Sequence, residues 1–186
     1  MARHAHETQE TRRSGSHHHT APEEHKALGP ASIGCGVITC SDTRTPQTDK
    51  SGQLIQELLR QQGHYIPTYA VVKDEPEEVQ TLIQSLAQNT QIGAIIINGG
   101  TGISRRDTTF EAIDGLLEKR LVGFGEIFRY LSYKDIGSAA ILSRATAGLI
   151  KGKILFSIPG SSGAVRLAMK ELILPELPHI VGELHK

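Results

Sequence analysis

Three short β-branched runs, at residues 36–40 (GVITC), 66–72 and 94–97, alternate with two segments of helical periodicity. That order leaves the chain few folds. In the first helical segment, residues 51–63, Leu54, Ile55, Leu58 and Leu59 make one apolar stripe and Gly63 supplies the stop. In the second, Val79, Leu82, Ile83 and Leu86 line one face. Pro76 falls in its first turn, and Asp74 with Glu77 three residues on has the spacing of an N-cap. Residues 94–97 are apolar without alternation, as a strand is when helices cover both of its faces. Strand, helix, strand, helix, strand predicts right-handed crossovers and a mainly parallel sheet in a three-layer α/β/α domain.

Further along, Thr108 and Glu111 have capping-box spacing for another helix, and Phe124, Ile127, Phe128 and Leu131 mark one more. Residues 147–150 and 154–158 read as a hairpin turning at Lys151–Gly152–Lys153. A terminal helical region follows, broken by Pro175 and Pro178. The apolar and glycine-rich stretch at 121–147 fits either a subunit interface or intramolecular core.

Residues 1–30 differ from the domain expected over 31–186. They hold six of the nine histidines and almost no large apolar side chain, a composition that predicts a disordered tail. His17, His18 and His19 suit a transition metal, but without a structured surround a solvated tail is the simpler reading. Lysine plus arginine and aspartate plus glutamate both total 20, so no overall charge directs the chain to nucleic acid or an anionic membrane. No run reaches bilayer-spanning length, and the polar N-terminus lacks the apolar core of a secretory signal, so a cytoplasmic location is expected. Cys35 and Cys40, five apart on one extended strand, should face opposite sides of the sheet and so stay unpaired.

In an open α/β sheet, ligands bind beyond the carboxyl ends of the strands. Three strands here run into unusual loops, all expected at one edge. The first loop is Ser41–Asp42–Thr43–Arg44, and the second is Asn98–Gly99–Gly100–Thr101–Gly102 followed by Arg105, Arg106 and Asp107. The third is Pro159–Gly160–Ser161–Ser162–Gly163. The glycines of the second loop suit either a tight turn or a phosphate cradle, which the next helix's N-terminus can reinforce. Two guanidiniums beside a carboxylate favour phosphate. Asp74 and Asp107 precede helices and suit either helix entry or Mg²⁺ held with phosphate oxygens. The third loop suits either an ordinary helix start or a hydroxyl-bearing anion loop.

Taken together, Ser41–Asp42, Asp49–Lys50–Ser51–Gly52, Val72–Lys73–Asp74–Glu75, Gly99–Gly100–Thr101–Gly102 with Arg106–Asp107, Leu142–Ser143–Arg144 and Pro159–Gly160–Ser161 resemble the MoaB/Mog family of molybdenum cofactor biosynthesis. Residues 123–126 and 143–145 lean toward its MoaB branch. The resemblance implies a homotrimer or homohexamer that adenylylates molybdopterin with ATP and Mg²⁺, giving adenylyl-molybdopterin and pyrophosphate. Handover to a molybdate-inserting protein would follow. By motif position, Asp74 and Asp107 are the catalytic and metal-associated carboxylates. Ser41, Asp42, Asp49, Ser51, Gly52, Gly99, Gly100, Thr101, Gly102, Arg106 and Glu111 line the nucleotide and pterin pockets. Pro159, Gly160 and Ser161 belong to the loop associated with the pterin phosphate.

The chain departs from the family pattern at Asn98, where a threonine is common, and at Thr108–Thr109–Phe110, which replaces Val-Thr-Pro. Two other readings stay open: a non-catalytic molybdopterin-binding or carrier protein of the same fold, and the nucleotide- or nicotinamide-processing class that shares it. Proteins of the last class usually carry a second domain, for which this chain has no room.

Overall fold

Strand β1 (Gly34–Cys40) is buried along its whole length and sends alternate side chains to opposite faces. A computed structural model describes residues 29–104 and 107–186. Apart from Gly29 and Pro30, the tail expected over residues 1–30 lies outside the described residues, as do Arg105 and Arg106. After β1 come α1 (Lys50–Gln61), β2 (Tyr65–Val72), α2 (Pro76–Gln88), β3 (Ala94–Gly99), α3 (Thr109–Asp114), β4 (Lys119–Arg120) and α4 (Val122–Ile136). A 3-10 turn (Gly137–Leu142), β5 (Thr146–Ile150) and β6 (Lys153–Ile158) lead into α5 (Ser162–Leu167), a π turn (Ala168–Ile173) and α6 (Leu174–Leu184).

The six strands lie in the order β2-β1-β3-β6-β5-β4. β2, β1, β3 and β6 are parallel, and β5 and β4 close the far side antiparallel. One face of the sheet, with Val37, Ile96 and Phe156, packs on Ile55 and Leu59 of α1, Phe128 of α4 and Val165 of α5. The other, with Ile38, Ile95, Ile97 and Leu155, packs on Val79 and Ile83 of α2 and Ile113 of α3. This is the three-layer α/β/α arrangement that the alternating pattern predicts. Cys35 sits in the first cluster and Cys40 in the second, both free thiols, so the strand's period of two does separate them.

The hairpin turns at Lys151 and Gly152, whose φ angles of 47° and 73° match the handedness such a two-residue turn needs. Three local expectations are corrected. Asp74 does not cap α2; Glu75 holds that position without a side-chain bond, because Asp74's carboxylate is engaged by Thr109. The Thr108–Glu111 box does not form, since Thr108 is already helical and Glu111 turns to Arg144. Nor do Pro175 and Pro178 break the terminal helix. Pro175 enters at the start of α6 directly after the π turn, where Leu174 N donates to Met169 O, and the wider turn absorbs the missing donor. Among the described residues no helix is long and apolar enough to cross a membrane.

Candidate functional site

Because β1, β3 and β6 are parallel, their carboxyl ends deliver three loops to one edge, and Arg44 ties the first of them to the third. Its Nη1 donates to Ser51 Oγ (2.5 Å) and its Nη2 to Gly160 O (3.1 Å), 116 residues away in sequence. Gly160 lies so close to β3 that a Cβ there would sit 3.1 Å from Gly99 Cα. Gly99 itself has φ +94°, and a Cβ on it would meet the Cys40 carbonyl oxygen at 2.2 Å. The second loop therefore has to leave its strand as bare backbone.

Beneath the loops lies a buried polar network. Asp49 Oδ2 accepts from Thr39 Oγ1 (2.6 Å) and Tyr69 Oη (2.7 Å), and Oδ1 accepts from Gly52 N (3.0 Å), which caps α1. Ser51 Oγ lies 3.0 Å from Asp49 Oδ1 and 2.7 Å from Asn98 Oδ1. Asn98 Nδ2 donates to Thr39 Oγ1 (2.7 Å) and Ile38 O (3.2 Å). Asn98 thus joins β1, β3 and α1 through both ends of its amide. Burial alone would raise the Asp49 pKa, but the bonds from Thr39, Gly52, Tyr69 and Ser51 outweigh it and hold the carboxyl below its ordinary range. Asp49, Ser51 and Gly52 are buried, so the structure places them under the cleft, bracing it.

At the cleft floor, Thr109 Oγ1 donates to Asp74 Oδ1, and Asp74 N donates to Asp42 Oδ1 (3.2 Å). Gly100, at φ +63°, passes so near that a Cβ would lie 2.9 Å from Asp74 Oδ1. Asp107 lies against Gly102, and its Oδ2 accepts from Ser104 N (2.8 Å), fastening the loop on itself. The Asp74 pKa is raised, first by burial and then by the negative charge of Asp107, Asp42 and Glu75, while the Thr109 bond opposes the shift. A carboxylate pressed by other carboxylates beside bare glycine backbone suits a cation shared with an anionic ligand. Among the described residues no three His, Cys, Asp or Glu side chains cluster as a ready cage. Mg²⁺ needs none, because it usually takes one or two carboxylates and completes its shell with phosphate and water.

Ser41 Oγ accepts from Thr43 N and Arg44 N (both 3.3 Å) and shapes the first loop. Ser161 Oγ accepts from Ala164 N (3.2 Å) as the N-cap of α5. Behind Pro159 and Ser161 a pocket of about 120 Å³ is lined also by Ser132, Asp135 and Ser143. α3 is short, but its first turn abuts the glycine loop: Phe110 N donates to Gly100 O (3.2 Å), and a Cβ on Gly100 would lie 2.7 Å from Thr109 Cβ. Sequence reasoning missed Thr39, Tyr69 and Thr109 as parts of the site, and gave no task to Asn98, Arg44 or Arg144. Polar Thr39 and Asn98 at the ends of otherwise apolar strands are the signal that was available.

Arg144 is the second arginine that gathers loops. Nε donates to Thr101 O (3.0 Å), and Nη2 donates to Gly102 O and to Asp107 O (3.2 Å). Nη1 pairs with Glu111, and the guanidinium lies 4.6 Å from the centre of the Phe110 ring. This first cause, with Arg144's charge, holds the Glu111 pKa below its ordinary value. Glu111 thus points to Arg144, with most of its side chain in solvent.

The family model described as "Probable molybdopterin binding domain" matches residues 36–179. Molybdenum cofactor biosynthesis protein B of Bacillus subtilis (strain 168) is 55% identical over 165 residues, spanning 88% of this chain and 97% of that protein. A crystal structure of a molybdenum cofactor biosynthesis protein B superposes with a TM-score of 0.82 at 54% identity, over 84% of this chain and 98% of the other. The tungsten cofactor synthesizing protein MoaB from Pyrococcus furiosus gives 0.75 at 38% identity, over 84% and 99%.

Proposed function

The chain belongs to the MoaB family of molybdenum cofactor biosynthesis proteins, and from that premise we propose that it binds molybdopterin and adenylylates it. ATP and Mg²⁺ are the co-substrate and metal, and adenylyl-molybdopterin and pyrophosphate the products. The observation that carries this reading is the meeting of three loops around bare glycine backbone with Asp74 beside it. In the transfer, a terminal phosphate oxygen of molybdopterin forms a bond to the α-phosphorus of ATP. The bond from that phosphorus to the bridging oxygen breaks, and pyrophosphate leaves with the electron pair. No protein nucleophile is needed, so the chain's work is alignment and charge neutralisation.

The glycine loop receives the nucleotide phosphates and the Pro159–Gly160–Ser161 loop the pterin phosphate; the close approach of Gly160 to Gly99 keeps the two in register, with Arg44 holding Gly160 from the first loop. Asp74 and Asp107 would hold Mg²⁺, which when bound neutralises charge on the leaving pyrophosphate. Arg106, the sequence neighbour of Asp107, would contribute a further positive charge. A homotrimer or homohexamer that hands its product to a molybdate-inserting protein completes the proposal.

The test is purified protein with ATP, Mg²⁺ and molybdopterin, followed by pyrophosphate release, with Asp107→Ala alongside. Turnover lost in a folded, assembled variant supports the reading. Normal turnover in that variant removes Asp107 from the mechanism. Molybdopterin bound without any pyrophosphate from the wild type would make the protein a carrier.

A further inference from the structure

Arg144 spends four of its five N–H groups on the protein: Thr101 O, Gly102 O, Asp107 O and the Glu111 carboxylate. Its remaining face is covered by Phe110. A guanidinium so occupied is poorly placed to bind a ligand, yet three of its acceptors are backbone carbonyls of one loop. The described peptides are all trans. In a trans peptide the C=O of one residue and the N–H of the next point in opposite directions. Drawing the Thr101 and Gly102 carbonyls toward Arg144 therefore turns the N–H groups of Gly102 and Ile103 away from it. The Asp107 carbonyl fixes the far end of the same loop, next to the Asp107 carboxylate.

We propose that Arg144 is a positioning residue: it sets the peptide planes of the glycine loop so that its N–H groups face the nucleotide phosphates, and Phe110 is the lid that holds the guanidinium there. The inference rests on the reading that this loop receives ATP. It also gives the unusual residue at 110 a task. The ring that stands where the family commonly has proline covers the cation, a contact worth more as water is excluded. Arginine is required because only its planar fork reaches several carbonyls at once; a lysine ammonium serves as a point charge.

The test uses the full chain with Arg144→Met, Arg144→Lys and Phe110→Leu, and two kinds of measurement. The first is amide hydrogen exchange without ligand. Arg144→Met is expected to speed exchange in residues 99–104 by about tenfold or more, with β1, β3 and β6 unchanged. The second is steady-state adenylylation. The KM for ATP is expected to rise by about tenfold, while molybdopterin affinity, read by fluorescence, stays within about twofold. Lysine is expected to restore part of both, and Phe110→Leu to fall between wild type and Arg144→Met. Wild-type exchange and KM in Arg144→Met would overturn the proposal, as would equal loss of ATP and molybdopterin binding with sheet protection lost. A wild-type chain that neither binds ATP nor turns over defeats the functional reading instead, and the exchange result then decides Arg144's hold on the loop by itself.

Discussion

Thr39 Oγ1 donates to Asp49 Oδ2 at 2.6 Å, with neither residue exposed to solvent, so the end of β1 is hydrogen-bonded to a carboxylate inside the protein. All the contacts named for that carboxylate are donors, and an asparagine would turn an N–H toward some of them. Asp49→Asn is expected to cost about 2–4 kcal/mol of stability at neutral pH, read as a urea midpoint. The folded pKa lies below the ordinary 3.8. The stability that this carboxylate contributes is therefore fully present above that value and is lost as pH falls through the lower folded one. The midpoints of the two proteins should converge below about pH 4. A gap that persists in acid would show that packing, not charge, separates them.

Asp74 has the opposite sign. Its folded pKa is raised, so the folded state binds the proton more tightly, and stability falls as pH rises from the unfolded value through the folded one. Asp74→Asn keeps an acceptor for Thr109 and removes the repelled charge. The variant is expected to melt higher than wild type at pH 7, by about 2 °C, with the difference shrinking toward acid pH. The same variant should lose pyrophosphate release. Gained stability with lost turnover is what a carboxylate kept for a cation predicts. A lower melting temperature at pH 7 would mean that Asp74 is a structural anchor.

Much of this layout is legible in the sequence because it depends on short-range pattern. Residues 94–97 are continuous apolar, and β3 is buried in the middle of the sheet. Parallel strands then send the loops after Cys40, Gly99 and Ile158 to one edge. What did not show is pairing between residues far apart in the chain. Asp74 has the spacing of a cap, but Thr109, 35 residues on, takes its carboxylate. Glu111 has the spacing of a box, but Arg144 lies 33 residues away and wins it. Pro175 reads as a breaker because nothing local announces the π turn just upstream. For Asp74 and Glu111 a tertiary partner outcompetes a local hydrogen bond of similar worth.

Two glycines with similar backbone angles should respond differently to alanine. Gly63 (φ +81°) ends α1 with nothing near its missing Cβ, so Gly63→Ala is expected to cost about 1 kcal/mol, the conformational term alone. Gly99 (φ +94°) faces the Cys40 carbonyl at 2.2 Å, so Gly99→Ala adds a backbone clash. It is expected to cost at least about 2–3 kcal/mol and to abolish molybdopterin-dependent turnover. Equal urea midpoints for the two variants would mean that the loop shifts freely, which the close approach of Gly160 argues against.

Along α4 and the 3-10 turn, Tyr130, Tyr133, Ile136, Ile141 and Leu142 are all more than half exposed, Ile141 at 83%. Exposed apolar side chains gathered on one segment suit a contact with another copy of the chain. With residues 121–147 as the proposed subunit interface, light scattering at micromolar concentration should give a trimeric or hexameric mass, and Ile141→Glu should lower it. A monomeric wild type would rule the interface out. The same variant asks a second question, because Ile141 stands three residues before Arg144. If burial of the 3-10 turn fixes that arginine, Ile141→Glu should also speed amide exchange in residues 99–104. Unchanged exchange in a dissociated chain would show that Arg144 holds the glycine loop within a single subunit.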